Sequence, residues 1–397
     1  MRIDSPPRSR TLVTAASLGL LAFLSLGPLL AEPRRDAFLE PYSSTVATTV
    51  AAAVVLLLMI LALAVRVHLD RPSEPCAARN MMRFAVLAAL MTFLHWIEVD
   101  RFDVPRQWQQ TIYLQQFNGL YEAPHNYRPM PQGFVCLIER ITHNWDFACI
   151  SYRWFFTVWF LWASYRLARR YLDPNRALLV LVPLVLLYPL SVLHYWGQLT
   201  DPLSHTLFVL AFLYLLEDRP LALASALALG IFAKETAVIV APAYLACYWR
   251  RGVRTWLITA SLGVVCVAAY LAARLPLGWQ PAADSINGVG LVIAPNLGYE
   301  HPFAVMPVPL WENLLHPMLF IGAFVPFIIR QWRCIHPQLR ALFLVVTPLL
   351  LLSNLCFGWL YESRNYMPLV PLLATLALPL AGRGAYRERP AFQTAGI

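Results

Sequence analysis

A lysine–glutamate pair interrupts an otherwise apolar stretch of the chain. Lys234 and Glu235 stand between LASALALGIFA and TAVIVAPAYLA. Lys234 is the only lysine among the 31 basic residues, and the others are all arginines. Because arginine would serve wherever positive charge alone is needed, a lysine here favours a polar site, for example one that holds a phosphate. The alternative is a purely structural Lys–Glu pair.

Other ionisable residues stand at the ends of further apolar runs. They are Glu98, Asp100 and Asp103 in WIEVDRFD, Arg128 in HNYRPMP, Asp201 in WGQLTDPLSH, and Glu362 and Arg364 in LYESRNYMP. Ionisable residues at membrane depth are costly and commonly belong to functional sites. Each group also has a structural interpretation: in the order given, a solvated loop, an interfacial aromatic–cation anchor, a helix N-cap and a local ion pair.

Motifs of soluble enzymes and metal sites are absent from the sequence. It contains no GxxxxGK[ST], GxSxG or HExxH, and no GxGxxG followed by an acid. The nine histidines and seven cysteines lack metal-ligand spacing, so we predict no cofactor and find no support for a divalent metal. Cys136 and Cys149 share one segment and either form a disulfide or, on the simpler interpretation, remain free thiols.

The composition predicts an all-α integral membrane protein. Of the 397 residues, 59% are hydrophobic and only 13% are charged, whereas about 25% are charged in a soluble domain. About twelve apolar runs approach the roughly 20 residues that a helix needs to cross the hydrocarbon. They lie at about 11–30, 44–65, 81–97, 151–168, 177–193, 201–216, 221–233, 235–249, 255–273, 312–329, 341–358 and 365–381. The stretch 221–249 is either two short helices or one long bent helix.

The arginines between these runs predict the orientation. With the N-terminus inside and the runs alternating, most of the 31 basic residues fall on the inner side. RLARR (166–170) and YWRRGVR (248–254) mark that side most clearly, so we expect an N-in, C-in protein. The net charge of +9 then reflects topology, and we expect no nucleic-acid partner. The first run is interpreted as an uncleaved span, with a cleaved signal peptide as the alternative.

Two long segments then face outside, at about 98–150 and 274–311. In the first, PRQWQQTIYLQQFN (105–118) and PQGFVCLIERI (131–141) mix apolar and polar residues, which predicts helices lying along the membrane surface. The second is rich in glycine and proline and predicts an irregular loop, of a length often found over binding sites. The candidate residues come from distant parts of the chain but share this outer face.

The order of these features resembles the GT-C (C-type) superfamily of polytopic membrane glycosyltransferases, notably the bacterial mannosyl- and arabinosyltransferases. The resemblance rests on the acidic first loop, the YRP segment, the inner RLARRYL turn, TDPLSH, the KE pair and ESRNYMPLVPLLA. It covers about residues 81–381, so residues 1–80 would be a two-span addition and residues 382–397 a cytoplasmic tail. Many relatives carry an adjacent acidic pair in the first loop, where this sequence has DRFD.

The resemblance implies a lipid-dependent transferase of the bacterial inner membrane that contributes to the cell envelope. Such an enzyme moves a sugar from a polyprenyl-phosphate carrier to a glycan, lipid or protein acceptor on the outer face. The family's catalytic base lies in the first external loop, which implies Asp100 or Asp103 here. That base would deprotonate an acceptor hydroxyl, which then attacks the anomeric carbon.

The resemblance also implies a donor site on the remaining candidates. Arg128, Lys234 and Arg364 would hold the donor phosphate as the leaving group. Asp201 and Glu235 would orient these cations or bind sugar hydroxyls, and Glu362 belongs to the same substrate-binding set.

Two other functions remain as alternative predictions. A multi-spanning transporter or flippase would use the stretch 221–249 as a broken helix. A non-catalytic protein of envelope assembly would need none of the site chemistry.

Overall fold

The computed structural model describes residues 77–96, 103–117, 127–192, 198–278, 293–297 and 310–378. All regular elements in these ranges are helical, with no strand among them. The first helices are α1 (Ala77–His95), α2 (Asp103–Phe117), α3 (Pro129–Thr142), α4 (Trp145–Arg169), α5 (Pro174–Leu179), α6 (Leu181–Val192), α7 (Thr200–Leu216) and α8 (Pro220–Ala233). The later ones are α9 (Ala241–Tyr248), α10 (Val253–Arg274), α11 (Ile293–Asn296), α12 (Leu310–Pro317), α13 (Val325–Gln331), α14 (Pro337–Phe357) and α15 (Val370–Ala377).

Four described helices are long and apolar enough to cross a membrane. They are Pro174–Val192 (α5 and α6 together), Val253–Arg274 (α10), Asn313–Cys334 (from within α12 to the turn after α13) and Pro337–Phe357 (α14). Three shorter apolar helices accompany them, at Asn80–His95, Thr200–Leu216 and Pro220–Ala233. The prediction of an all-α membrane protein is confirmed at this level.

The described parts of the ten predicted apolar runs from 81–97 to 365–381 coincide with helical segments. The runs at 11–30 and 44–65 and the tail at 382–397 lie outside the described residues. The count of twelve spans and the N-in, C-in orientation therefore stay predictions.

Proline and polar caps explain where several of these helices begin. Pro129, Pro174, Pro220 and Pro337 each occupy a first turn, where the missing N–H removes no helical hydrogen bond. The Asn144 side chain caps α4 by accepting a hydrogen bond from the Phe147 amide at 3.0 Å.

The stretch 221–249 is two helical segments broken at Lys234. α8 ends at Ala233, Lys234 is extended (φ −164°, ψ 122°), and a 3-10 helix follows over Glu235–Val240 before α9. The two segments pack so tightly that a Cβ built on Gly230 would lie 2.7 Å from the Ala237 Cβ. Glycine at position 230 permits the chain to turn back on itself beside Lys234.

Both segments predicted as surface helices are helical, as α2 and α3, and their position along the membrane surface stays a prediction. α3 buries Val135 and exposes Phe134, Leu137 and Ile141, as expected for a helix with one face towards lipid. Cys136 and Cys149 are free thiols. Most of the predicted loop 274–311 lies outside the described residues, and within it Ile293–Asn296 forms one helical turn.

The two ends of the bundle differ in chemistry. α7 and α8 pack against each other and are joined by the turn Glu217–Arg219. Arg166, Arg170 and Arg219 all lie within 4 Å of Glu217 at that turn. The N-terminus of α7 and the C-terminus of α8 lie at the opposite end, about 25 Å away along the 17-residue helix. That opposite end carries the candidate site.

Candidate functional site

Asp201 contacts two cations from distant parts of the chain. Its carboxylate lies 3.6 Å from Lys234 Nζ and 3.4 Å from Arg364 Nη1. All three side chains are less than a tenth exposed. The interpretation of Asp201 as a helix N-cap is wrong, because α7 begins after Leu199 and its N-cap makes no side-chain hydrogen bond. The carboxylate instead bridges two buried cations.

The 3-10 helix Ser363–Leu369 completes this cluster. Lys234 Nζ donates to Asn365 Oδ1 at 2.5 Å, and Asn365 Nδ2 donates to Glu362 Oε2 at 2.9 Å. Arg364 Nη2 donates to the same Glu362 oxygen at 3.0 Å. The predicted ion pair between Glu362 and Arg364 is therefore present, as one part of a larger network.

A second ion pair flanks the first cluster. Arg128 Nε and Nη2 donate to the two carboxylate oxygens of Glu235 at 2.9 and 2.7 Å. This two-bonded geometry is the strong form of an arginine–carboxylate pair. Arg128 is 6% exposed and the Glu235 side chain 25% exposed, so the guanidinium is withdrawn from water and the carboxylate only partly.

Lys234 and Glu235 thus have different partners, and the proposed structural Lys–Glu pair is wrong. The reason lies in the backbone, because extended residues direct successive side chains to opposite sides. Lys234 is extended and Glu235 begins a 3-10 helix. The break between the two helical segments therefore allows two adjacent residues to join different ion pairs, Lys234 with Asp201 and Glu235 with Arg128.

We name the six charged residues and Asn365 the polar network. Its members are Arg128, Asp201, Lys234, Glu235, Glu362, Arg364 and Asn365. Three carboxylates balance three cations, which satisfies the requirement that buried charges be paired. All six charged members were predicted from the sequence.

Further polar residues pack around the polar network. His205 Nε2 lies 2.9 Å from the Arg364 carbonyl oxygen and donates to it in the tautomer protonated at that nitrogen. Tyr127 donates to the Gly278 carbonyl oxygen at 2.8 Å, and the Arg274 guanidinium lies 4.3 Å from the Tyr127 ring centroid. These contacts tie the ends of α7 and α10 to the network.

A small cavity lies beside Asp201 and Arg364. Its volume is about 20 Å³, and His95, Arg153 and His205 are also on its wall. Such a space suits one water molecule. Arg153, which is 1% exposed, donates to Gln109 Oε1 of α2 at 2.8 Å. The α2 helix of the first long segment therefore lies against the wall of this cavity.

Four polar residues at or beside the network were not among the candidates predicted from the sequence: Asn365, His205, Arg153 and Arg274. Asn365 directly follows Arg364 in the same motif, and His205 stands one helical turn after Asp201. Their positions were available in the sequence, but nothing in it distinguished them from ordinary capping or interfacial residues. Arg153 stands inside the apolar run 151–168, where a buried charge was the available signal.

Neither of the two predicted catalytic acids belongs to the polar network as defined above. Asp100 lies outside the described residues, and Asp103 is the first residue of α2. Both assignments stay predictions. Within the described ranges, no group of three His, Cys, Asp or Glu side chains could hold a metal ion.

Comparison of the chain with protein-family models, with curated proteins and with solved structures finds no match.

Proposed function

We propose that this protein is a membrane glycosyltransferase that moves a sugar from a polyprenyl-phosphate carrier to an acceptor at the outer face of the bacterial inner membrane. The observation that carries the proposal is the meeting of four segments in the polar network. Residues 128, 201, 234–235 and 362–365 are far apart in sequence. Ion pairs and hydrogen bonds join 201, 234 and 362–365 to one another and join 128 to 235, the neighbour of 234 in the chain. Buried ionisable groups at the end of a membrane bundle commonly form functional sites.

The cations of the network suit a phosphate leaving group. Lys234 and Arg364 share one carboxylate, Asp201, at 3.4–3.6 Å, which is longer than a well-formed charged hydrogen bond. A donor phosphate offers oxygens that can replace this shared carboxylate at either cation. The space beside Asp201 admits about one water, so donor binding requires the side chains of the network to separate.

The reaction follows from these roles. Asp100 or Asp103 takes the proton of the acceptor hydroxyl, whose oxygen attacks the anomeric carbon of the donor. The bond between that carbon and the phosphate oxygen breaks, and the electron pair leaves on the polyprenyl phosphate. Lys234, Arg364 and Arg128 stabilise the negative charge that develops there. Asp201, Glu235 and Glu362 orient these cations or bind sugar hydroxyls.

The proposal also covers the membrane topology of the whole chain. In it the chain crosses the membrane about twelve times with both termini inside, so the polar network faces outside and the arginine-rich end faces inside. α2 and α3 lie along the outer membrane surface. The partners are membrane lipid, the carrier-linked sugar and a glycan, lipid or protein acceptor.

Transfer from a panel of radiolabelled polyprenyl-phosphate sugars tests the proposal. Membranes containing the wild type are compared with D100A, D103A and K234A variants, and with R219A at the opposite end as the control. We expect labelled product from the wild type and R219A, and a loss of about 100-fold or more when the base is removed. If the wild type transfers sugar from none of the donors, the proposed transferase activity is contradicted. If all three variants transfer at the wild-type rate, the assignment of these residues to the site is contradicted.

A transporter is the second candidate, and the helix break at Lys234 favours it. Discontinuous helices with charged residues at the break are typical of substrate sites in transporters. Proteoliposomes distinguish the two functions. A transferase converts the labelled lipid-linked sugar to a new glycoside, whereas a flippase moves it unchanged to the opposite leaflet.

A further inference from the structure

A basic surface lies at the end of the bundle opposite the polar network. It consists of the turn between α9 and α10, residues 249–254, and the segment from the end of α13 to the start of α14, residues 330–340. Cys247, which lies in α9 two residues before the first segment, holds the two segments together by donating from Sγ to the Gln338 carbonyl oxygen at 3.4 Å. We call them together the basic turns.

The basic turns carry a large excess of positive charge. They contain six arginines and no acidic residue: Arg250, Arg251, Arg254, Arg330, Arg333 and Arg340. Arg251 pairs with Asp218 Oδ2 at 2.5 Å. Within the described part of the chain, the other five arginines form no ion pair. Their charge is therefore available to a ligand.

The surroundings of Arg254 indicate where this surface lies. Val253, Trp256 and Leu257 are 72%, 62% and 64% exposed. They begin α10, which is apolar enough to cross a membrane and whose most apolar window is only 22% buried by protein. Lipid must therefore surround most of α10. The arginines at its first turn then stand at the level of the lipid headgroups.

Trp249 supports the same position. Its side chain is 64% exposed, and the Arg250 guanidinium lies 5.6 Å from its ring centroid. Tryptophan concentrates at the boundary between hydrocarbon and headgroups. Exposed apolar side chains continue directly from the arginines into a helix that lipid surrounds, which favours a lipid headgroup over an acidic protein or a nucleic acid as the ligand.

We propose that the basic turns bind the headgroups of anionic phospholipids, with Arg250 and Arg254 contacting the phosphodiester. Charge complementarity supplies the attraction, and the exposed side chains of α10 contact the acyl chains. This site is separate from the polar network and does not depend on the proposed transferase function.

Native mass spectrometry of the full-length protein in neutral detergent tests the proposal. Dioleoyl phosphatidylglycerol and dioleoyl phosphatidylcholine are titrated into the wild type, an R250Q/R254Q variant and an R219Q variant. R219Q is the matched control because Arg219 is exposed at the same end but lies 3.5 Å from Glu217. Inorganic phosphate in a separate arm distinguishes a lipid site from a site for free phosphate.

We expect saturable binding of phosphatidylglycerol that exceeds that of phosphatidylcholine. Binding weakens about 10- to 30-fold in R250Q/R254Q, since each arginine near an anionic lipid surface contributes substantially to binding, and stays unchanged in R219Q. An R250K/R254K variant retains most of the binding and shows that charge is responsible. Equal binding of the two lipids, or full binding by R250Q/R254Q, overturns the proposal, and competition by inorganic phosphate at equal concentration shows that the ligand is not a lipid.

Discussion

Arg128 and Glu235 form a two-bonded ion pair although 107 residues separate them in the chain. Arg128 immediately precedes α3 of the first long segment, and Glu235 follows the helix break at Lys234. The pair therefore fastens the predicted surface helix to the membrane bundle beside the polar network. Because Glu235 pairs with Arg128, Lys234 contacts Asp201 and Asn365 instead.

Removing one partner of this pair is expected to destabilise the protein. E235A leaves the buried Arg128 guanidinium without this carboxylate, which typically costs about 3–5 kcal/mol, whereas R128A leaves the quarter-exposed Glu235 carboxylate and is expected to cost less. The double variant removes both charges and is expected to lose less than the sum of the single losses. Unfolding midpoints in detergent for the wild type, the singles and the double give the coupling energy. A coupling energy near zero contradicts a structural contribution from the pair.

The helices of the bundle were predictable from the sequence because their apolar runs are long and, apart from the two long segments 98–150 and 274–311, short polar segments separate them. The charged members of the polar network were predictable too, since Lys234 and Asp201 stand out against apolar neighbours. The partners were not predictable. Whether Glu235 pairs with Lys234 or with Arg128 depends on the backbone angles of Lys234, and the contact of Asn365 with Lys234 depends on the 3-10 winding of residues 363–369.

Gly230 is expected to tolerate no side chain. A Cβ there would lie 2.7 Å from the Ala237 Cβ, and the Gly230 carbonyl accepts a hydrogen bond from the Lys234 amide. G230A must therefore push the two segments apart, at a cost of about 1–3 kcal/mol. Thermal unfolding in detergent measures the loss.

Gly263 provides the matched control for that substitution. It also lies within a helix, α10, but no atom comes within 4 Å of its added Cβ. G263A is expected to be neutral or to stabilise by up to about 1 kcal/mol, because alanine favours a helix over glycine. Equal destabilisation by G230A and G263A contradicts the close packing as the cause.

Asn296 is expected to hold the end of α14 in place. Its side-chain nitrogen lies 3.1, 3.0 and 2.7 Å from the carbonyl oxygens of Asn354, Leu355 and Gly358, which share its two N–H donors, and its oxygen accepts from the Leu360 amide at 3.0 Å. This fully buried side chain thereby satisfies backbone groups that the helix leaves open. The chain then continues directly into the segment that carries Glu362 and Arg364.

N296A is expected to lower stability by about 2–4 kcal/mol, because several buried backbone groups lose their partners. Loosening of the end of α14 should also raise the rate at which a maleimide labels Cys356, measured by peptide mass spectrometry. N175A serves as the control, since Asn175 lies in the first turn of α5, far from α14 in sequence and outside this contact set. An unchanged Cys356 labelling rate in N296A contradicts the capping role.

The two ends of the bundle are expected to lie on opposite sides of the membrane. The polar network and the arginine-rich end are separated by about 25 Å along α7, close to the roughly 30 Å of the hydrocarbon core. The excess of arginine predicts that the basic turns face the cytoplasm and that α3 faces outside. Single cysteines in a variant without native cysteines can test both statements.

Gly133 and Arg250 suit this labelling experiment, because both are exposed and an added Cβ at Gly133 meets no neighbour. A membrane-impermeant maleimide applied to intact cells should modify G133C and leave R250C unmodified, and both should react after the membrane is opened. Labelling of R250C alone reverses the orientation. Labelling of both in intact cells places the two ends on one side and contradicts the transmembrane arrangement of α7, on which the outward position of the polar network depends.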